Sequence, residues 1–304
     1  MKKTFYSNGK LLITGEYVVL EGATALALPT KFGQYLHVSE GPEHTIHWTS
    51  YDIDGSVWFT DSIHFEEVKQ KMTFGKDAGV KNTLIEILHH AYRANPSFLE
   101  NTKGYTVTTA LTFPKAWGLG TSSTLINNIA QWLTIDAFEL LRNSFGGSGY
   151  DIACAQNNTP ILYHLESGKP IIHTLDFNPI FKENLYFVYL NKKQNSKAAI
   201  ASYYEKQQRL DKTIAKISQL TSNAIQAQSL GEFAGILENH EAIMSDILEM
   251  QTVKEAFFND FNGVVKSLGA WGGDFVLAIS KDDPTDYFKA LGYLTVLPYS
   301  EMIK

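Results

Sequence analysis

Pro114-Lys115-Ala116-Trp117-Gly118-Leu119-Gly120-Thr121-Ser122-Ser123 is the stretch on which the fold turns. A β-like run, Gly104 to Phe113, leads into it, and a helical run, Thr124 to Leu133, leads out. Two glycines, three hydroxyl residues and a helix start aim backbone N–H groups at an anion. Glycine tolerates φ > 0 and lets a ligand approach the main chain. The helix start adds unpaired donors and the positive end of the dipole. Leu125, Ile126, Ile129, Trp132 and Leu133 give the helix one buried face. The alternative is an ordinary strand–turn–helix whose Thr and Ser residues are N-caps. A Walker A loop is excluded because no Gly-Lys-Ser/Thr follows the glycines, and the glycine spacing excludes a dinucleotide fingerprint.

Composition narrows what such a loop serves. A chain of 304 residues, 44% hydrophobic, buries a full core as one large domain or two lobes. Its net charge of −6 argues against a nucleic-acid partner. Arginine is confined to Arg93, Arg142 and Arg209, so an anionic ligand falls to lysine, backbone N–H groups and a metal ion. Cys154 is the only cysteine, which rules out an intrachain disulfide and fits a reducing compartment. The apolar stretch after Lys2-Lys3 is too short for a signal peptide, and no run reaches membrane-spanning length. A soluble, cytoplasmic protein with no membrane partner is expected.

Upstream of the loop the chain reads as β-rich. Short runs at Thr4–Tyr6, Leu11–Thr14, Thr24–Ala27, Gln34–Val38, Thr45–Trp48 and Val57–Phe59 are separated by Gly or Pro. Val80 to Ala94 reads as a helix with Val80, Leu84, Ile87, Leu88 and Ala91 on one face. No histidine is given a metal role. Downstream, a helix over Asp136–Arg142 precedes Gly146-Gly147-Ser148-Gly149-Tyr150-Asp151. Asp151 is either an N-cap or a carboxylate set by a rigid glycine loop, and both roles are compatible. Ile161–Leu165 and Ile171–Leu175 read as a hairpin, and Asn184–Leu190 as a strand followed by a basic loop carrying Lys192, Lys193 and Lys197. Two amphipathic helices follow, one marked by Ile200, Tyr203, Leu210, Ile214, Ile217 and Leu220. The other is marked by Phe233, Leu237, His240, Met244 and Ile247. A glycine-rich turn, Gly269 to Asp274, runs into a buried strand, then a helix at Thr285–Leu291 and a strand at Leu294–Leu297.

Three glycine-rich segments, each beside a regular element and in this order, resemble the GHMP kinases. The first motif is matched by Asn8-Gly9-Lys10-Leu11-Leu12-Ile13-Thr14-Gly15-Glu16-Tyr17, with Asn8 where Pro is usual. The second is matched from Pro114 to Ser122, with Thr121 for the first Ser, and the third at Gly269 to Phe275, with Trp271 and Asp274 where Gly is usual. Gly149-Tyr150-Asp151-Ile152-Ala153 resembles the Gly-Tyr-Asp-Ile-Ala signature of one subgroup. The resemblance implies an α+β fold of two lobes with a cleft between them. These are a ribosomal-protein-S5-like lobe over 1–180 and a ferredoxin-like lobe over 181–304.

It also implies an ATP- and Mg²⁺-dependent phosphotransferase. Pro114, Lys115, Gly118, Leu119, Gly120, Thr121, Ser122 and Ser123 would bind ATP, with Ser122 and Glu139 on the metal. For Glu139 a solvated helix carboxylate is the alternative. Asp151 would be the base that takes the proton of the attacking hydroxyl, and Lys10 the lysine that pairs with it. Glu16, Gly147, Ser148, Gly149, Gly269, Ala270, Gly272 and Gly273 would line the substrate. Among small-molecule substrates, the first motif and the Gly149–Ala153 signature point to mevalonate or phosphomevalonate. The scarcity of arginine favours mevalonate, whose carboxylate needs one cation. Phosphomevalonate kinase, a diphosphomevalonate decarboxylase and a non-catalytic ligand-binding regulator are the alternatives.

Overall fold

The computed structural model describes residues 2–192, 203–204 and 211–304. Lys193 and Lys197 of the basic loop, and Ile200 and Leu210 of the first expected stripe, lie outside them. The strands are β1 (Lys3–Leu12), β2 (Ala25–Glu40), β3 (Thr45–Tyr51), β4 (Val57–His64), β5 (Tyr105–Leu111), β6 (Ile161–Glu166), β7 (Lys169–Thr174), β8 (Leu185–Tyr189), β9 (Val264–Ser267), β10 (Phe275–Ile279) and β11 (Val296–Pro298). The helices used below are α1 (Gly79–Ala94), α2 (Thr121–Leu133), α3 (Ala137–Ser144), α4 (Tyr150–Gln156), α5 (Asp211–Gln226) and α6 (Leu230–Leu248). No helix of the described residues is long and apolar enough to cross a membrane.

The chain divides into two compact units. One comprises Met1–Gly9, Phe32–Lys115 and Leu119–Gln156, the other Lys10–Lys31, Ala116–Gly118 and Asn157–Lys304. The division is discontinuous, whereas the sequence reading places one cut near residue 180, because β1 and β2 each contribute residues to both units.

In the first unit β3 pairs antiparallel with β4 and parallel with β5, and residues 34–40 of β2 pair antiparallel with β5. Leu36 and Val38 are buried and Tyr35 is exposed, the period-2 pattern of a strand with one covered face. That face joins α1, α2 and α3 in one core through residues such as Trp48, Val107, Leu88, Ile129 and Leu140. Each such side chain stabilises the fold by about 1.5–3 kcal/mol through burial. The buried face of α1 begins at Leu84, whereas Val80 stands 45% exposed in the first turn.

In the second unit residues 25–27 of β2 pair with β6, and β6 with β7. The β6–β7 turn has positive φ at Ser167 and Gly168, the geometry of a two-residue hairpin turn. A separate antiparallel sheet has the order β11-β8-β10-β9. Its chain order is strand, helices, strand, strand, helix, strand, which is the ferredoxin-like arrangement. β10 is buried at every residue, so its sequence Phe-Val-Leu-Ala-Ile shows no alternation.

Three local expectations are corrected. Thr4–Tyr6 and Leu11–Leu12 belong to one β1 that continues through Asn8 and Gly9 and ends before Ile13 and Thr14, and β2 likewise continues through Pro29. Pairing with a neighbouring strand overrides the local turn signal. β9, only four residues long, carries no strand alternation of its own in the sequence.

Candidate active site

Gly118 and Gly120 have φ of 68° and 99°, conformations that L side chains avoid. Gly120 is the N-cap of α2, in the left-handed region, and among the described residues no side chain caps the helix. This overturns the N-cap reading of the hydroxyl residues. The N–H groups of Thr121, Ser122 and Ser123 therefore open the helix without a side-chain acceptor. The hydroxyls divide. Ser123 Oγ donates to Gly120 O at 2.9 Å, and Thr124 Oγ1 to Gln34 Oε1 at 2.9 Å. Thr121 and Ser122 are half-buried, and their hydroxyls make no hydrogen bond among the described residues. Leu119 between the glycines is fully buried and anchors the loop. After Pro114, Lys115 donates its N–H to Asp52 Oδ1 at 3.0 Å, and its ammonium stands 4.0 Å above the Trp58 ring. Lys115 is thus engaged by the β3–β4 hairpin.

Asp151 is the second residue of α4 rather than its N-cap, half-buried, with Oδ1 accepting from Ile152 N–H at 3.1 Å. Gly146, Gly147 and Gly149, all at positive φ, deliver the chain with Ser148 to this helix. α4 is fastened to α2 by polar groups the sequence did not flag. Gln156 Nε2 donates to Asn127 Oδ1 at 3.0 Å, Asn127 Nδ2 to Ser7 Oγ at 2.8 Å, and Ser7 Oγ to Asn128 Oδ1 at 2.8 Å. Asn127 and Asn128 are at most 1% exposed, so these bonds resist competition from water. The helix that begins at Thr121 and the helix that carries Asp151 are thus tied together by hydrogen bonds through the buried Asn127. Glu139, on α3, has a side chain 67% exposed and lies 3.4 Å from Arg142, the position of a solvated helix carboxylate.

In the second unit Lys10 Nζ donates to Gly118 O at 3.4 Å. The Asp274 carboxylate packs on Gly118 so closely that a Cβ there would collide with it. Asp274 itself has φ 52° and is fixed by its N–H on Lys192 O (2.6 Å) and its O on Leu190 N–H (2.8 Å). Tyr189 OH donates to Ala116 O at 3.1 Å. Burial and the charge of Asp274 push the Tyr189 phenol up. Gly269, Ala270, Gly272 and Gly273 form the turn from β9 to β10, with positive φ at Gly269 and Gly272.

Glu16 is fully buried, with its carboxylate on Lys266 of β9. Lys266 Nζ lies 3.2 Å from Glu241 Oε2, and Glu241 Oε1 accepts from Ser267 N–H (3.1 Å) and Oγ–H (2.6 Å). His240 Nε2 accepts from Gly15 N–H at 3.0 Å, so that nitrogen carries no proton. It stands 3.5 Å from Glu16 Oε2. Burial pushes the Glu16 carboxyl up to about 7 against the pull of Lys266. Burial lowers the Lys266 ammonium, but Glu16 and Glu241 outweigh it and the net shift is upward. Burial, helped by Lys266, holds His240 well below the ordinary histidine value. Glu16, expected at the substrate, is thus enclosed by protein, and its partner Lys266 was missed.

Solved structures share this fold. Mevalonate kinase of Methanococcus jannaschii superposes with a TM-score of 0.71 at 16% identity, covering 97% of this chain and 96% of that one. The Streptococcus pneumoniae phosphomevalonate kinase in complex with phosphomevalonate and AMPPNP gives 0.70 at 16%, covering 97% and 99%. The fold is that of the GHMP kinases. Lactococcus lactis galactokinase complexed with galactose shares this fold, at 0.66 and 14% identity over 100% and 95% of the two chains. A scan against family models and a search of curated protein sequences found no match. GHMP-fold neighbours with three different named substrates score within a narrow range, so the likeness does not select a substrate.

Proposed function

We propose that this chain is an ATP-dependent small-molecule kinase that transfers the γ-phosphoryl group to a substrate hydroxyl. The observation that carries the reading is the start of α2: a helix capped by a left-handed glycine, with no side-chain cap and two uncommitted hydroxyls among the described residues. Such a terminus offers aligned donors and a positive dipole end to a phosphate. Ser122 would supply a hydroxyl to Mg²⁺, a hard ion that takes oxygen ligands. When bound, Mg²⁺ neutralises charge on the transferring phosphoryl group. Asp151, held at the start of α4, takes the proton of the attacking hydroxyl as oxygen bonds to phosphorus. Lys10 contributes the cation, and the turn from Gly269 to Gly273 offers backbone to the phosphates or substrate.

For the substrate we retain mevalonate. Its carboxylate needs a single cation, while Arg142 lies beside Glu139 and Lys115 lies over Trp58. Titration with Mg-ATP in a calorimeter, followed by ADP release over mevalonate, phosphomevalonate, homoserine and galactose, tests both levels. No Mg-ATP binding sinks the kinase reading. Turnover of phosphomevalonate with none on mevalonate sinks the substrate choice.

A further inference from the structure

Four ionisable side chains that the phosphoryl chemistry does not use meet inside the second unit. Glu16, His240 and Lys266 are 0% exposed and Glu241 is 3% exposed. They come from three segments: Glu16 from the turn that ends the first motif, His240 and Glu241 from α6, and Lys266 from β9. Lys266 is three residues from Gly269, where the third glycine turn begins, and its ammonium also donates to Ser267 O at 2.5 Å. The root of that turn is therefore bound to the first-motif turn by an enclosed ion pair.

A second link lies further along the same two segments. Tyr17, next to Glu16, is held at φ 61°, a conformation rare for a bulky residue. Its OH accepts from Trp271 N–H at 3.3 Å. Tyr17 and Trp271 belong to one apolar cluster with Val18, Ile217, Leu220 and Met244. Trp271 is 3% exposed in a turn whose glycines would otherwise leave it loose. Burying an ion pair gains little stability over well-packed apolar residues, whereas removing one partner is costly. What such a pair fixes well is register. Here it sets the β9 end of the turn, and Trp271 sets its middle.

We propose that Glu16, Lys266 and Glu241 are positioning residues that, with the Tyr17–Trp271 contact, clasp the third glycine turn onto the first-motif turn and preset it for the phosphates of the nucleotide. The consequence for nucleotide rests on the kinase reading, but the clasp does not. Glu16 then acts through Lys266 on the turn, and its carboxylate touches no ligand.

Hydrogen exchange on the ligand-free protein tests the clasp without any activity. The amides from Ala270 to Asp274 are expected to be protected in the wild type. They should exchange at least tenfold faster in Glu16→Gln and in Trp271→Gly, while amides of α2 keep their wild-type rates. In the same variants KM for Mg-ATP should rise about tenfold with kcat changed less than threefold, a split that a general loss of stability does not produce. Should Trp271→Gly fail to fold, Tyr17→Phe removes the hydroxyl acceptor alone and carries the exchange test. Equal exchange of these amides in wild type and variants, or unprotected amides in the wild type, overturns the proposal. If the wild type binds no Mg-ATP, the kinase reading fails and the exchange rates alone decide the clasp.

Discussion

The start of α2 and the turn after β1 are both glycine-marked motif segments, and they treat polar groups in opposite ways. Among the described residues, α2 opens without a capping side chain, and Thr121 and Ser122 keep their hydroxyls unengaged. At the first-motif turn Glu16 is enclosed and ion-paired, Gly15 N–H is bonded to His240, and Tyr17 OH holds Trp271. Polar groups left open at a half-buried position await a partner from outside. Polar groups enclosed and paired hold protein to protein, because an unpaired one there would be expensive. On the proposed function, motif residues that look alike in sequence separate into a ligand-facing set and a frame-holding set.

The largest test of the ligand-facing set is Asp151→Asn. The amide nearly preserves shape and can still accept from Ile152 N–H, so the fold and Mg-ATP affinity should persist. Turnover should fall by roughly two or more orders of magnitude, as loss of a positioned base does. Near-normal turnover would reduce Asp151 to a residue that merely trims the first turn of α4.

Neighbouring serines sharpen the comparison inside one loop. Ser122→Ala should raise the Mg²⁺ concentration for half-maximal activity about tenfold, equivalent to ~1.4 kcal/mol, with little change in melting temperature. Ser123→Ala should do the reverse, costing about 1 kcal/mol of stability through the lost bond to Gly120 O and leaving the Mg²⁺ titration in place. Identical responses from the two serines would erase the distinction.

The glycine loop before α2 was legible because its signals are consecutive: glycine, hydroxyl and helix periodicity sit within about twenty residues, and local rules read them. The ferredoxin-like order was mostly legible for the same reason. What escaped was non-local. β9 is four residues long, and a lysine in it reads as a solvent-facing residue, since lysine is rarely buried without a partner. Its partner Glu16 lies 250 positions away, so nothing near either residue announces the pair. The continuity of β1 through Asn8-Gly9 was hidden because that dipeptide reads locally as a turn. Ser122 and Ser123 could not be told apart either, since which hydroxyl folds back onto Gly120 O depends on side-chain torsion and not on residue type.

The smallest expected effect breaks the frame-holding set into its parts by pH. Glu16 is faced by Lys266 from β9 and by Glu241 and His240 from α6, with Tyr17 beside it. Its folded pKa, up to about 7, exceeds its ordinary value of 4.5. The folded state therefore holds an extra proton between those values, and this contribution to stability is full below 4.5 and lost as pH rises through 7. His240 has the opposite sign. Its folded pKa is depressed, so the unfolded chain takes the proton first and stability is lost as pH falls below 6.5. Lys266, shifted upward, stays charged throughout this window. The two contributions oppose each other in the wild type, each bounded by the ~1.4 kcal/mol per pH unit of one proton. Melting temperatures from pH 7.5 to 5 should separate them. The advantage of wild type over Glu16→Gln should grow on acidification, and its advantage over His240→Gln, which keeps an acceptor for Gly15 N–H, should shrink. Parallel curves for both variants would mean that neither group changes its proton affinity on folding, and burial and pairing in the cluster would then offset each other.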